Sequence, residues 1–240
     1  MILFDHLNLA MFSGKGGVGK STISSGFACC WAKQFPQEKI LLVSTDPAHS
    51  LGDILQLDIS DRPTRLETIP NLYVRNLDAQ RLLAEFKDRY GDTLELLVER
   101  GSFVEGEDLT PVWDLDWPGL DELMGLLEIQ RLFNDKEYDR VVVDMAPSGH
   151  TLNLFALMDF LDEMLETLEL FQEKHRYISQ TFSGKYTPDQ ADDFLKNLQQ
   201  ELNAGRRLLQ NKESTACLGV AIAEPMCGSP SCSWKPKKVR

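Results

Sequence analysis

Positive charge is what this sequence lacks. It has 25 Lys and Arg against 37 Asp and Glu, a net charge of −12. That balance argues against a nucleic-acid partner, because affinity for a phosphate backbone rests on clustered cations. The shortage is local as well as global. Between Gly101 and Gln130 there is no Lys or Arg, while Glu105, Glu107, Asp108, Asp114, Asp116, Asp121, Glu122 and Glu128 are all acidic. Such a stretch reads first as a solvated loop and helix face. Long apolar runs are missing too: nothing approaches the roughly 18 uncharged apolar residues of a membrane span, so direct membrane insertion is not expected. The opening "MILFDHLNLAMF" carries Asp5 and no basic region, and it runs straight into a Gly-rich loop. It predicts no signal peptide. Cysteines are five, odd in number and scattered, which fits a reducing cytoplasm better than a disulfide framework.

What is present is a substantial apolar fraction, 42% of 240 residues, enough to bury one large domain's core. Short apolar runs alternate with longer helical patterns, the signature of βαβ units around a parallel sheet. Leu7–Ser13, Lys39–Asp46, Arg140–Pro147 and Leu218–Pro225 read as strands covered on both faces, with Leu72–Asp78 a weaker fifth. The expected fold is therefore α/β, a doubly wound, mainly parallel sheet. Helical insertions are expected at about 81–130 and 152–210, in a single domain spanning 1–226. Within the second, Leu154, Leu157, Met158, Leu161, Leu165 and Leu168 share one face at 3.6-residue spacing. "SGKYTPDQ" (Ser183–Gln190) should break that helix, with Thr187 or Asp189 capping the next.

Three segments carry chemistry. "SGKGGVGKST" (Ser13–Thr22) contains the G-x-x-x-x-G-K-[ST] phosphate-loop pattern in Gly14, Gly19, Lys20 and Ser21, between a strand and a helix. Glycines let backbone N–H groups curl around phosphate oxygens, and the helix N-terminus adds positive potential. Lys20 would neutralise the β- and γ-phosphates, and the Ser21 hydroxyl would ligate Mg²⁺. Gly14, Lys15, Gly16, Gly17, Val18, Gly19, Lys20, Ser21 and Thr22 are thus the expected ATP-binding residues. "STDPAHS" (Ser44–Ser50) puts Asp46 at a strand's C-terminal end, where a carboxylate can orient or deprotonate water or simply cap a turn. "VVVDMAPSGHT" offers Asp144 as the acid that holds Mg²⁺ through water.

Together, "GKGGVGKST", "STDPAHS" and "DMAPSGHTL" resemble the ArsA/Get-type ATPases, which include arsenical pump-driving ATPases and targeting factors for tail-anchored membrane proteins. These belong to the deviant Walker A group of P-loop NTPases. The resemblance runs in order from about Leu7 to Pro225. It implies that Lys15 reaches across a nucleotide-bridged homodimer to the partner's nucleotide, and that Asp46 activates the hydrolytic water. It implies further that Asp144 supports Mg²⁺, and that Glu224 in "AIAEP" lies near the nucleotide. Two kinds of partner follow: a membrane transporter subunit energised for anion (arsenite) efflux, or a hydrophobic tail-anchor client, for which the Leu154–Leu168 stripe offers a groove. Helix packing explains the same stripe. A MinD/ParA-like positioning role would call for a C-terminal amphipathic helix, and the basic tail is too short and Pro-rich for one.

The resemblance has gaps. After Met226 the chain turns into "CGSPSCSWKPKKVR", where family members continue into an adenine-contacting region. Residues 227–240 are expected to be an aberrant, disordered tail left by truncation or a frameshift. Cys227 and Cys232 are spaced too widely for the family's C-x-x-C zinc pair. Arsenite-binding members use cysteines in the inserted helices, and Leu82–Lys212 contains none. Cys29 and Cys30 are expected to be packing residues.

Overall fold

A computed structural model describes residues 4–46, 50–101, 120–146 and 153–222. The chain runs β1 (Leu9–Ser13), α1 (Lys20–Gln34), β2 (Ile40–Ser44), α2 (Ser50–Leu55), β3 (Thr64–Arg65), β4 (Leu72–Asn76), α3 (Ala79–Gly101), α4 (Leu120–Asn134), β5 (Arg140–Asp144), α5 (Asn153–Ser183), α6 (Gln190–Gln210) and β6 (Thr215–Gly219). The six strands form one sheet in the order β3-β4-β2-β5-β1-β6. Every pairing is parallel except that of the two-residue edge strand β3 with β4.

β1, β2 and β5 are buried at every position, as their unbroken aliphatic runs require once both faces are covered. Alternate side chains enter different cores. Ala10, Phe12, Ile40, Leu42 and Val142 pack under α1 and α2 with Ala28, Trp31 and Leu51. Leu9, Met11, Leu41, Val43, Val141 and Val143 meet Leu126, Ile129 and Leu132 of α4 and Leu209 of α6. The sheet is doubly wound, as its sequence pattern predicts.

The last strand lies three residues earlier than its apolar run suggests. Leu218–Pro225 was the expectation; β6 occupies Thr215–Gly219, pairing Leu9 with Thr215 through Ser13 with Gly219. Its extent is set by its partner. β1 ends at Ser13, where the glycine loop departs, and the ladder closes with the Val220 N–H donating to the Ser13 carbonyl at 2.7 Å. Residues 223–240, including the expected tail, lie outside the described part.

The helices beyond the sheet face share a third core. Leu97 of α3, Met124 of α4, Leu161, Leu165 and Leu168 of α5, and Ala191, Phe194, Leu195, Leu198 and Leu202 of α6 are its buried members among the described residues. The stripe on α5 is therefore spent on helix packing at these three leucines; the side chains of Leu154, Leu157 and Met158 lie outside the described residues. α5 ends at Ser183 and Gly184 turns with φ 69°. Asp189 then caps α6 in a reciprocal capping box with Asp192. α4 has leucines in both cores, so it is the layer between the sheet and the outer helices.

Most polar groups inside this helical layer are paired, although the buried Gln130 Oε1 of α4 has no partner among the described residues. Gln172 is fully buried; its amide oxygen accepts from Arg100 Nη1 at 2.7 Å, and its nitrogen donates to the Tyr186 hydroxyl at 2.8 Å. Arg100 also pairs with Asp189 at 2.6 Å, and Arg176 with Asp192 at 2.6 Å and Glu169 at 2.8 Å. Burial alone would raise the Asp192 pKa, but hydrogen bonds from Tyr186, the Asp189 amide and Arg176 outweigh it and bring it down to about 2.

Candidate functional site

β1 and β5 are neighbours whose connections leave in opposite directions, β1 towards β2 and β5 towards β6. In an open parallel sheet such a switch point leaves a crevice at the strands' C-terminal ends. The loop after β1 and the tips of β2 and β5 converge there.

The loop's shape follows from its glycines. Gly17 and Gly19 have φ of 75° and 89°, a region that favours glycine. A side chain at Gly14 would strike the Val220 carbonyl. Gly19 caps α1 without a side-chain bond, so the helix's first N–H groups stay available to an anion. Lys20 is 5% exposed, and its ammonium donates to the Lys15 carbonyl at 3.1 Å. The Ser21 hydroxyl is 3.0 Å from that of Ser50 at the start of α2. Gly14 and Val18 are half-buried, whereas Lys15, Gly16, Gly17, Gly19 and Thr22 are exposed. The Lys15 ammonium makes no ion pair among the described residues.

Asp144 is the opposite case. It is 0% exposed, and neither carboxylate oxygen has a hydrogen-bond partner among the described residues. The adjacent hydroxyls have other partners in reach: Ser24 donates to the Ser21 carbonyl at 3.1 Å, and the Ser21 and Ser50 hydroxyls lie 3.0 Å apart. Burial raises the Asp144 pKa; Ser21 and Lys20 pull against that, Asp46 adds to it, and Ser24 opposes it more weakly. A buried carboxylate with no partner costs several kcal/mol, roughly 3 or more, unless something positive arrives.

Asp46 is also buried, at 8% exposure, and its N–H donates to the Ser44 hydroxyl at 3.2 Å. The structure therefore gathers Lys20, Ser21, Asp46 and Asp144 at one crevice. It places Lys15 on the rim. Glu224, Pro47–His49 and 147–150 lie outside the described residues, and Cys29 and Cys30 sit on α1.

Two residues that sequence reasoning passed over stand in the same place. Ser50 holds the Ser21 hydroxyl, and Thr45 accepts a hydrogen bond from the Ala146 N–H at 3.1 Å. The available signal was position: both hydroxyls belong to the quoted "STDPAHS" segment, which begins at the ligand-facing end of β2.

Comparison with known proteins places this geometry. The profile of the family described as "Anion-transporting ATPase" matches residues 7–229. A protein of Aquifex aeolicus (strain VF5) named "Putative arsenical pump-driving ATPase 2" is 32% identical over 208 residues, 86% of this chain and 67% of that protein. An "ATPase ASNA1 homolog" of Babesia bovis is 30% identical, over 91% of this chain and 58% of its own length. Another of Entamoeba histolytica is 31% identical, over 77% and 56%. The chain thus spans between 56% and 67% of the length of these curated relatives. With that match across the sheet, the loop and both carboxylate segments, the chain belongs to the anion-transporting ATPase family.

Proposed function

We propose that the chain binds ATP with Mg²⁺ at Gly14–Thr22 and hydrolyses it to ADP and phosphate as a nucleotide-bridged homodimer. Asp144 carries the reading: a fully buried carboxylate with no hydrogen-bond partner among the described residues, beside a serine hydroxyl and a helix N-terminus without a side-chain cap. That donor set suits a hard divalent cation held by oxygen. Ser21 would ligate the ion directly and Asp144 through water. Bound there, Mg²⁺ supplies charge neutralisation at the β- and γ-phosphate oxygens.

The chain's own residues account for the remaining steps. Lys20 exchanges its bond to the Lys15 carbonyl for phosphate oxygens. Asp46 orients a water and takes its proton as the oxygen bonds to the γ-phosphorus and the bond to the ADP oxygen breaks. Lys15, exposed on the rim, reaches the partner copy's nucleotide and stabilises charge building on its phosphates. The test is Mg²⁺-dependent phosphate release together with sedimentation in ATP and in ADP. Turnover no higher than that of Lys20→Met would overturn the reading, and a monomer in ATP would remove the dimer.

The coupled work we propose is energising an anion-export partner, in line with the family's description and the name of the Aquifex relative. One observation favours a second reading, a carrier for hydrophobic tail-anchor segments. Leu170, Tyr177, Ile178 and Phe182 of α5 are exposed, Phe182 at 85%. Stimulation of turnover by antimonite would support the first. Capture of a tail-anchored segment, lost on charging Ile178 and Phe182, would support the second.

A further inference from the structure

We propose that Thr45 is a positioning residue that clamps the two carboxylate-bearing segments together and carries their displacement to the helical layer. The inference rests on the ATPase reading above. Three contacts support it, one from each part of the residue. The Thr45 N–H donates to the Asp144 carbonyl at 3.0 Å. The Thr45 hydroxyl accepts from the Ala146 N–H at 3.1 Å. The Thr45 methyl lies on the Gly125 side of α4, where an added Cβ would meet it at an ordinary van der Waals distance of 3.5 Å.

The first two contacts reach Asp144 itself and Ala146 two residues on, from a residue next to Asp46 in the chain. Elsewhere the strand tips are joined by backbone bonds, such as Met145 to Phe12 and Leu77 to Ser44. The Thr45–Ala146 bond adds a side-chain link between the segments that hold the two acids. It fixes how far apart they sit, and productive geometry tolerates little error there. The third approach is to α4. α4 touches the sheet through Leu126, Ile129 and Leu132 and the outer helices through Met124. A shift of the β2 tip on nucleotide binding therefore presses on α4, which, like α6, belongs to both cores, and close-packed interiors transmit such shifts.

The hydroxyl and the methyl can be removed separately. Thr45→Val keeps the methyl and loses the acceptor; Thr45→Ser does the reverse. With Thr45→Val, kcat should fall about tenfold with KM within about twofold, and the Ala146 amide should exchange with solvent about tenfold faster, the worth of one hydrogen bond. Thr45→Ser should restore both to within about threefold of wild type. It should lose the added exchange protection that an ATP analogue gives α4, and Gly125→Ala on that background should bring the protection back by replacing the missing methyl.

Equal behaviour of the Val and Ser variants would overturn the proposal. So would a parallel loss of kcat, nucleotide affinity and melting temperature, which would make Thr45 a residue of the fold alone. If the wild type binds the ATP analogue but does not hydrolyse ATP, the ATPase reading fails instead. The Ala146 exchange, measured without nucleotide, still decides the clamp.

Discussion

The C-terminal end of the sheet and the helical layer bury polar groups in opposite ways. In the layer, Gln172 is sealed from water yet bonded at both ends of its amide, and Arg100, Arg176 and Arg206 each face carboxylates. At the sheet's end, Asp144 is equally sealed, yet among the described residues its carboxylate oxygens have no hydrogen-bond partner, and Lys15 is exposed with no ion pair. A paired buried group specifies packing, whereas an unpaired one is tolerated where a ligand completes it. On the proposed ATPase reading, the contrast separates residues that hold the fold from residues that serve the chemistry. Both sets are charged and polar, so composition alone would not divide them.

The sharpest way to break this comparison is at Lys15. If the unpaired cation serves a partner's nucleotide, Lys15→Ala lowers turnover on the order of a thousandfold, as loss of a trans-acting cation does. Sedimentation in ATP then shows a monomer, and the melting temperature stays put. Unaltered turnover and dimerisation would return Lys15 to the status of a solvated surface residue.

Next comes Asp144→Asn. Turnover with Mg²⁺ should drop about a hundredfold, the scale of losing one electrostatic contact in a site. Without nucleotide the variant should melt at the same temperature or higher, because a buried unpaired charge has been removed. A lower melting point would mean that Asp144 is paired in solution and that the contrast is false.

Gln172→Leu tests the other side. It leaves Arg100 short of an acceptor, and unfolding in urea should become easier by about 1–3 kcal/mol. Turnover per folded molecule should hold. A fall in turnover would tie the outer helices to catalysis more tightly than the paired network implies.

The smallest effect concerns acid. The folded pKa of Asp192, about 2, lies below its ordinary value of 3.8. Its stabilisation is therefore present above pH ~4 and lost as the pH falls towards 2. For Asp144 the shift is upward, so it costs stability above the ordinary carboxylate value, and that cost disappears as the solution is acidified through its folded pKa. Asp192→Asn should flatten the acid-side loss of stability in a pH series of urea melts. Asp144→Asn should steepen it, because the opposing contribution is gone.

The legible parts of the sequence were those governed by local rules. Unbroken aliphatic runs located β1, β2 and β5, and the Gly- and Pro-containing break "SGKYTPDQ" narrowed the cap of α6 to Thr187 or Asp189, of which the structure uses Asp189. The spacing of Leu161, Leu165 and Leu168 showed a face, yet not what covers it; their partners come from α3, α4 and α6, far along the chain. β6 shifted because a strand's ends depend on its neighbour's length. Gln172 and Arg100 were invisible for a related reason. A polar side chain in a helical pattern reads as solvent-facing until another segment buries and pairs it.

Gly17 and Gly19 need a backbone region that few other residues enter, and Lys20 and Ser21 follow at a fixed offset. The sequence by itself thus determined a phosphate-binding loop opening a helix, because backbone preference acts over only a few residues. The isolation of Asp144, the bond from Ala146 to a threonine 101 residues away, and the approach of Gly125 to that same threonine were decided only by tertiary structure. Burial and hydrogen bonding sum over whatever segments the sheet order brings together, and that sum is fixed only when the chain folds.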